Sequence, residues 1–342
     1  MKAYVLNGPR EIRAEERPLP ACGPNDVLVR VRRVGLCGSD LHLYAGTYNG
    51  PHNYPMLFGH EWSGIVEAVG RGVTDLASGD KVTGDCSKYC GQCDWCAADQ
   101  NLCRHIEKYG ITCDGASSQY IVRPRQYLYR AAPDTDLTLL ALTEPIAVAH
   151  HLLARVCAVC GPLAGKRILV YGGGAIGLAA LLLLLHQHNC TDVALTDLIP
   201  RRVELARQLG ARVPSDEELR WQGGEDYHSM YNDTPYDIII ETTGAAPVFS
   251  HSLELLRPLG VLGCVGMIAA ADIAQKLIVT KDLTVLGSVG GTGDFPQVID
   301  FVAHWPEDAR RLVSHCFDIA QVDEAFAVAA DAQRAIKIML EL

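Results

Sequence analysis

The sequence lacks any basic cluster, and this absence excludes a first class of partners. Lysine and arginine never follow one another for more than two positions, and 30 basic against 40 acidic residues give a formal net charge of −10. Proteins that bind nucleic acid need a basic surface patch, and anionic membrane surfaces attract basic segments. The sequence therefore predicts neither a nucleic-acid partner nor adhesion to a membrane surface.

Export and membrane signals are missing as well. No apolar segment of the signal-peptide kind follows Met1, so the expected location is the cytoplasm. Residues 168–185 form an uncharged stretch of 18 positions, which meets the crude length criterion for a membrane span. Four glycines interrupt it, however, and a strand, a turn and a helix explain them better.

The cysteine content does not indicate disulfides. The chain has 13 cysteines, an odd number, and no export signal, so thiolate metal ligation or plain burial is the better expectation. Cys157 and Cys160 lie in an apolar helical stretch without a second pair, and we expect them to be buried small residues.

Composition divides the chain into two parts. The first is rich in glycine, proline and short β-branched runs, as at 26–32 and 64–69, which predicts an antiparallel, barrel-like β domain. From about residue 146, apolar runs alternate with helical stretches, which predicts an α/β domain with a doubly wound parallel sheet. The predicted domains are 1–145 with 289–342, and 146–288. Strands are predicted at 167–171, 192–196, 236–241, 261–265 and 283–287, and helices at 175–185, 201–209 and 295–304.

A glycine-rich turn follows the first strand of the α/β part. Gly172, Gly174 and Gly177 fit G-x-G-x-x-G between a predicted strand and a predicted helix, where a helix N-terminus favours the phosphates of a dinucleotide. Asp197 ends the next strand and would accept hydrogen bonds from the ribose hydroxyls, which favours NAD over NADP. Arg202 follows closely and could moderate that preference. The alternative is a glycine-rich turn that binds no cofactor.

The strongest local motif is a cysteine loop with the spacing C-x2-C-x2-C-x6-C. Its members are Cys90, Cys93, Cys96 and Cys103. Four thiolates this close suit a closed tetrahedral zinc site of structural type, although four free thiols remain the alternative. Cys86 is a possible substitute ligand, should the short last spacing prevent Cys103 from reaching the metal.

A second set of metal-ligand types is dispersed along the chain. Cys37, His60 and a carboxylate, either Glu61 or Glu144, would supply three protein ligands and leave a fourth position open, as in catalytic zinc sites. Each of these residues taken alone is structural more often than it is a ligand.

Several motifs in order resemble the zinc-dependent medium-chain dehydrogenase/reductase family, and its polyol (sorbitol) dehydrogenase branch in particular. They are GLCGSDLH at 35–42, GHEWSG at 59–64, the cysteine loop, DGASSQY at 114–120, EPIAVAHH at 144–151, the glycine loop and GSVGG at 287–291. The resemblance implies a GroES-like catalytic domain, a Rossmann domain that binds NAD, one catalytic and one structural zinc ion, a small-molecule alcohol substrate and a homo-oligomer.

The resemblance also implies residue roles. Cys37 and His60 bind the catalytic zinc, with Glu61 or Glu144 completing the sphere and the other carboxylate holding the zinc water or entering transiently. Ser39 and His42 match the proton relay of the family, and Val148 matches the residue behind the nicotinamide ring. The predicted cofactor-binding residues are Gly172, Gly174, Ala175, Ile176, Gly177, Asp197, Arg202, Val148, Thr242 and Val265.

Departures from the family pattern leave the substrate open. The cysteine loop is one residue shorter than usual, and the arginine of sorbitol-type enzymes is missing near 289–294. The segments 43–62 and 287–294 resemble 2-deoxy-scyllo-inosamine dehydrogenases, for which Asp294 or Glu61 could face a cationic amine. Tyr44, Tyr48, Trp62 and Tyr109 could line the pocket. The alternatives are a threonine or butanediol dehydrogenase, a zinc-free quinone reductase-like or crystallin-like protein, and a non-catalytic NAD-binding sensor.

Overall fold

The computed structural model describes residues 1–220, 226–232 and 235–342. This part of the chain divides into two compact units, Met1–Ala147 with Gly290–Leu342, and Val148–Val289. The strands are β1 (Lys2–Gly8), β2 (Glu11–Glu16), β3 (Asp26–Leu36), β4 (Met56–Leu57), β5 (Glu61–Val69), β6 (Lys81–Gly84), β7 (Ser87–Lys88), β8 (Glu107–Lys108), β9 (Tyr120–Pro124), β10 (Leu128–Arg130), β11 (Arg167–Tyr171), β12 (Asp192–Thr196), β13 (Tyr236–Glu241), β14 (Leu256–Cys264), β15 (Thr284–Gly287), β16 (Val313–Asp318) and β17 (Lys337–Glu341).

The helices connect these strands. They are α1 (Gly38–Ala45), α2 (Asp94–Ala98), α3 (Leu137–Ala141), α4 (Thr143–Cys160), α5 (Ala175–His186), α6 (Pro200–Gln208), α7 (Tyr227–Asn232), α8 (Ala246–Leu255), α9 (Gln275–Thr280), α10 (Phe295–His304), α11 (Pro306–Arg310) and α12 (Val322–Ala329). Short 3-10 helices lie at Gln100–Leu102, Arg125–Tyr127 and Ile319–Gln321.

The first unit is built on mainly antiparallel sheets, in which β16 runs parallel to its neighbour β17. Its main sheet has the order β10-β6-β5-β3-β17-β16, with β9 also paired to β3. In β3 the alternate residues Val27, Val29 and Val31 are buried in the core, as a strand with one face on the core requires. The predicted β domain is confirmed here, although β3 continues four residues beyond the predicted 26–32 and ends directly before Cys37.

The end of the chain returns to this sheet. β17 pairs antiparallel with β3, with Ile338 opposite Leu36, and β5 pairs with the other edge of β3, with Glu61 opposite Gly35. This register brings the start of β17, the end of β3 and the start of β5 to one place, although they are far apart in sequence.

The second unit contains a parallel five-stranded sheet of order β12-β11-β13-β14-β15. Its strands are almost wholly apolar, and every α5 residue from Gly177 to Leu184 is buried. The uncharged stretch 168–185 is therefore a strand, a turn and a core helix, as predicted. No helix in the described part of the chain is long and apolar enough to cross a membrane.

Candidate catalytic metal site and dinucleotide site

Three side chains of different chemical types meet where β3 ends and β5 begins. Cys37, His60 and Glu61, called the mixed-ligand group below, have ligand atoms that all lie within 4.8 Å of one another. Cys37 is the residue before α1, while His60 and Glu61 are buried at the start of β5. The pairing of β3 with β5 therefore assembles a set that the sequence spreads over 25 residues.

A buried aspartate fixes two members of the mixed-ligand group. The Asp40 carboxylate accepts hydrogen bonds from the backbone N–H of Cys37 at 2.8 Å and of Gly59 at 3.1 Å. It also lies 4.0 Å from Nδ1 of His60. Burial alone lowers the pKa of His60, but the Asp40 carboxylate and the Cys37 thiol raise this pKa well above its ordinary value. Asp40 thus orients one ligand through its backbone and another through its charge.

Sequence reasoning missed the strongest ionic contact of the site. Lys337 Nζ donates to both carboxylate oxygens of Glu61, at 2.6 and 2.7 Å, and to the carbonyl oxygen of Leu36 at 3.1 Å. Both charged side chains are buried. The two residues are 276 positions apart, and only the pairing of β17 with β3 brings them together, so no local motif could have indicated the contact.

Glu144 occupies a different position from Glu61. It lies in the first turn of α4 and is buried, and burial raises the pKa of its carboxyl group. It lies close enough to the thiol of Cys86 for the two groups to interact, and it does not belong to the three residues with mutually close ligand atoms. The condition under which Cys86 was expected to substitute in the cysteine loop does not arise, because Cys103 lies with the other three cysteines, and the Cys86 thiol lies beside Glu144 instead.

The residues of this site fit a divalent metal ion. Asp40, Glu61 and Glu144 are buried carboxyl groups, and Lys337 is the ammonium group paired with one of them. Nδ1 of His60 is buried and has no hydrogen-bond partner in the described part of the chain. Buried charges require compensation. A thiolate, an imidazole and a carboxylate are each zinc ligands, and three protein ligands leave the fourth position open that catalytic zinc sites need.

The cysteine loop forms a second, separate ligand group. The sulfur atoms of Cys90, Cys93, Cys96 and Cys103 all lie within 4.8 Å of one another, so the six-residue last spacing is long enough for Cys103 to take part. Backbone N–H groups of Arg104 and Cys96 lower the pKa of Cys93 to about 6. Backbone N–H groups of Cys90 and His105 also point at the Cys103 sulfur, at 3.2 and 3.3 Å. Such donors stabilise thiolates, which are the metal-binding form of cysteine.

The two predicted relay residues lie one turn apart on α1. Ser39 Oγ is buried and has no hydrogen-bond partner in the described part of the chain. His42 is exposed, and its Nδ1 is 2.9 Å from Oγ1 of Thr47, a neighbour that the sequence did not indicate. No direct hydrogen bond joins Ser39 to His42 among the described residues, so a path between them needs a bridging water or ligand hydroxyl.

The aromatic residues considered for the pocket divide into two kinds. Trp62 is a core side chain, and Tyr109 is buried under the Arg123 guanidinium, which lies 4.0 Å from the centre of its ring. Tyr44 packs on Phe326 with ring centres 4.6 Å apart. Tyr48 is half-buried, and its phenol is close enough to Cys37 for the two to interact electrostatically. Among these four residues, Tyr48 is the partly exposed one for which an interaction with a member of the mixed-ligand group is found.

In the second unit, a cavity of about 480 Å³ opens at the carboxyl ends of the parallel strands. Five of the predicted cofactor-binding residues line it, and Leu198, Ile199 and Thr243 are among the others. The five are Gly172, Gly174, Asp197, Arg202 and Thr242.

The glycines of the turn are required by space and conformation. Gly172 has φ +101°, and a Cβ there would lie 2.6 Å from Oγ1 of Thr242. A Cβ at Gly177 would lie 1.8 Å from the carbonyl oxygen of Gly172, so only glycine lets α5 start this close to the turn. Gly177 therefore allows α5 to pack against the turn, although it does not itself line the cavity. Ala175, Ile176, Val148 and Val265 are likewise not among the residues that line it.

Asp197 is held by the glycine turn. Its Oδ2 accepts from the N–H of Gly173 at 2.7 Å and lies 3.5 Å from Nη1 of Arg202, and its Oδ1 accepts from the N–H of Ile199 at 2.8 Å. Each carboxylate oxygen can accept a second hydrogen bond, so the cavity wall still offers acceptors to a ribose. The Arg202 contact brings a positive charge to the same wall.

Comparisons with known proteins agree with both units. Residues 23–134 match the family "Alcohol dehydrogenase GroES-like domain", and residues 175–304 match the family "Zinc-binding dehydrogenase". The sorbitol dehydrogenase of Halalkalibacterium halodurans is 31% identical over 99% of this chain and 99% of its own length. The chain belongs to the zinc-dependent medium-chain dehydrogenase/reductase family.

Within this family the chain falls in the polyol dehydrogenase branch, and it is an enzyme of the alcohol and polyol dehydrogenase type. Two solved structures superpose on it with a TM-score of 0.88 each. One, described as short chain alcohol dehydrogenase RspB of Escherichia coli CFT073 with NADH, is 26% identical and covers 100% of this chain and 99% of its own. The other, a zinc-binding dehydrogenase of Sinorhizobium meliloti 1021 with NADP, is 28% identical over the same shares. The predicted GroES-like and Rossmann folds are thereby confirmed, and the zinc-free and sensor alternatives lose their support.

Proposed function

We propose that this enzyme oxidises a secondary hydroxyl group of a polyol or cyclitol and transfers the hydride to NAD. The observation that carries the proposal is the mixed-ligand group, since its thiol, imidazole and carboxylate lie within 4.8 Å of one another in a buried, negatively charged site. A zinc ion bound there would act as a Lewis acid that lowers the pKa of a substrate hydroxyl group. The sorbitol dehydrogenase relative supports the substrate class.

Cys37 and His60 would hold this ion together with one carboxylate. The short mutual distances favour Glu61 as the third ligand. Lys337 would then neutralise and orient that carboxylate from behind, as partners of metal ligands commonly do. Glu144, tied to the thiol of Cys86, remains the alternative ligand or the group that holds a water molecule.

Ser39 and His42 would take the substrate proton away. The unpartnered hydroxyl of Ser39 is available to accept from a substrate hydroxyl, and His42 lies one turn further along α1 at the surface. Imidazole is the side chain best suited to carry a proton near neutral pH. Thr47 would hold the ring of His42 in place.

The cofactor preference rests on Asp197. The related structures contain NADH in one case and NADP in the other, so the family alone does not decide. A carboxylate at the cavity wall would repel a 2′-phosphate, while Arg202 at 3.5 Å reduces that repulsion. Asp197→Ala should shift the ratio of kcat/KM values from NAD towards NADP. Asp192→Ala, at the opposite end of β12, is the matched control and should leave the ratio unchanged.

The four-cysteine loop would bind a second zinc ion with a structural role, because four thiolates leave no open position for a substrate. We further infer that the protein forms a homo-oligomer, which sedimentation of the zinc-loaded protein would test.

The substrate is the least constrained part of the proposal. Lys337 already neutralises the Glu61 carboxylate, and the metal would engage it as well, so Asp294 is the better candidate for a contact with a cationic amine. A panel of polyols, cyclitols, aminocyclitols, threonine and butanediol, followed by NADH absorbance with zinc-replete enzyme, is the direct test. Turnover confined to threonine or butanediol would support the alternative dehydrogenases, and no turnover with any alcohol would refute the proposal.

A further inference from the structure

Asn101 lies inside the four-cysteine loop, yet its side chain reaches a segment near the other end of the chain. The residue is buried, with 4% of its surface exposed. Asp99 orients it, because Oδ1 of Asp99 accepts from both the N–H of Asn101 at 2.8 Å and its Nδ2 at 2.9 Å. Asn101 lies two residues before Cys103 in the sequence, and the sulfur of Cys103 belongs to the ligand set of the loop.

The amide of Asn101 makes a two-sided contact with Thr292. The N–H of Thr292 donates to Oδ1 of Asn101 at 3.1 Å, and Nδ2 of Asn101 approaches the carbonyl oxygen of Thr292 at 3.4 Å. Gly290 has φ +72°, and a Cβ there would lie only 2.1 Å from Oδ1 of Asn101. The chain therefore passes Asn101 at a distance that only glycine permits.

Thr292 also contacts a second buried residue of the first unit. Its Oγ1 donates to Oδ1 of Asp85 at 2.9 Å, and both residues are buried. The same Asp85 oxygen accepts from the N–H of Ser87 at 2.9 Å, which fixes the backbone on either side of Cys86. The Cys86 thiol in turn lies close enough to the Glu144 carboxyl group to interact with it. Polar contacts and the short backbone segment 85–87 thus connect the cysteine loop with the carboxyl group beside the mixed-ligand group.

We propose that Asn101 is a positioning residue through which the four-cysteine loop controls the placement of Thr292 and, beyond it, of the catalytic site. Closing the loop on its metal holds Cys103 and the 3-10 turn that presents Asn101. Opening the loop releases this turn, and Thr292 then loses its partner. The inference rests on the proposed zinc sites, but its first test requires no activity.

The first test is amide hydrogen exchange of the segment 288–295 in the zinc-loaded full chain. Asn101→Ala should accelerate exchange of the Thr292 amide about tenfold, the loss expected when one hydrogen bond of about 1.4 kcal/mol is removed. Cys96→Ser, which cannot close the four-thiolate shell, should accelerate the same amide. In the double variant, the acceleration of exchange should be smaller than the product of the two single-variant accelerations, because both substitutions act through the same contact. Asn53→Ala, which removes an amide that donates to the carbonyl oxygen of Thr112, is the matched control and should leave the segment unchanged.

The second test asks whether the placement matters for the reaction. Thr292→Val removes the hydroxyl donor at nearly constant volume, and Thr292→Ser keeps it. We expect Thr292→Val and Asn101→Ala to lower kcat/KM for the alcohol about tenfold with an unchanged KM for NAD, and Thr292→Ser to restore native values. The melting temperature of each variant is the separate readout, because a general loss of folding would lower it together with the apparent kcat while the KM values of the folded enzyme stayed the same.

The possible outcomes decide the proposal. Unchanged exchange of the Thr292 amide in Cys96→Ser would overturn the link to the loop. Faster exchange with unchanged kcat/KM in Asn101→Ala would overturn the link to the catalytic site. If the native enzyme oxidised no alcohol, the proposed function would fail, while the exchange experiment would still decide whether the loop controls Thr292.

Discussion

The two metal-ligand groups of the first unit are built in opposite ways. The cysteine loop has four ligands of a single type within 14 consecutive residues. Its thiols contact one another and backbone N–H groups. The mixed-ligand group combines three ligand types from two strand ends, and charged side chains surround it. The ligands of the cysteine loop come together within one short segment, whereas those of the mixed-ligand group come together only when β3 pairs with β5.

This difference is the one expected between a structural and a catalytic metal site, the roles proposed for the two groups. Four thiolates complete the tetrahedral coordination of a zinc ion and leave no position for a substrate. The mixed-ligand group has fewer ligands and needs partners such as Asp40 and Lys337 to hold them, as sites that perform chemistry generally do. Substitutions in the two groups should therefore affect different measurable quantities.

The largest expected effect is on activity, from Cys37→Ser. The variant should lose one zinc ion per chain and about a thousandfold in kcat, because Lewis-acid stabilisation contributes several kcal/mol and each 1.36 kcal/mol corresponds to a factor of ten. Metal analysis, steady-state rates and circular dichroism would measure the three consequences, with an unchanged fold expected. Cys316→Ser replaces an exposed cysteine outside both groups and should keep both zinc ions. Retained activity in Cys37→Ser would remove the catalytic role of this group.

Cys96→Ser should reverse the pattern. This variant should also lose one zinc ion, but the main consequence should be a free energy of unfolding lowered by about 4 kcal/mol, since metal loss is among the most destabilising changes. Denaturant titration with fluorescence detection would measure it. Residual activity should far exceed that of Cys37→Ser. Equal stabilities of Cys96→Ser and the control Cys22→Ser would show that the loop does not use a metal to stabilise the fold.

Lys337→Met tests the charged surroundings of the mixed-ligand group. Removing one partner of a buried ion pair leaves a buried charge without compensation, which costs about 3 kcal/mol of stability in the zinc-free protein. A dication supplies positive charge beside Glu61, so added zinc should raise the melting temperature of this variant more than that of the native protein. Thermal denaturation with and without zinc would measure both the loss of stability and the increase in melting temperature that zinc causes.

Two controls accompany this measurement. Lys337→Arg keeps the charge and should lose less stability than Lys337→Met. Lys88→Met removes one partner of a half-exposed pair with Glu107 and should cost less than about 1 kcal/mol. If Lys337→Met were no more destabilising than Lys88→Met, the buried pair would not support the site.

The same contrast explains what the sequence could reveal. The spacing of four cysteines and the glycine turn before α5 are local patterns, so their predicted geometry needs only a loop or a strand–turn–helix segment. The strands β11, β12 and β13 match their predictions to the residue, because buried parallel strands are continuous apolar runs between turn residues.

The partners of the catalytic site were beyond prediction for a physical reason. Lys337 meets Glu61 only through the register of β17 on β3, and Cys86 lies beside Glu144 only because the segment that follows β6 passes the first turn of α4. A single lysine or cysteine in sequence has many possible environments, and long-range pairing selects one of them. Motifs therefore indicated the candidate ligands, whereas the fold determines which side chains hold them.

The smallest expected effect concerns the exit of the proton, which the mixed-ligand group requires and the cysteine loop does not. His42→Ala should slow alcohol oxidation about tenfold, less than the usual effect of losing an acid–base residue, because water can partly replace an exposed imidazole. The loss should be greatest at lower pH, where solvent bases that could accept the proton are scarce. Rates between pH 6 and 9 would measure it, with Thr47→Val, which removes the partner of Nδ1 of His42, expected to give a smaller loss of the same shape. A loss independent of pH would assign the proton path to another group, since replacing an acceptor must matter most where alternative acceptors are fewest.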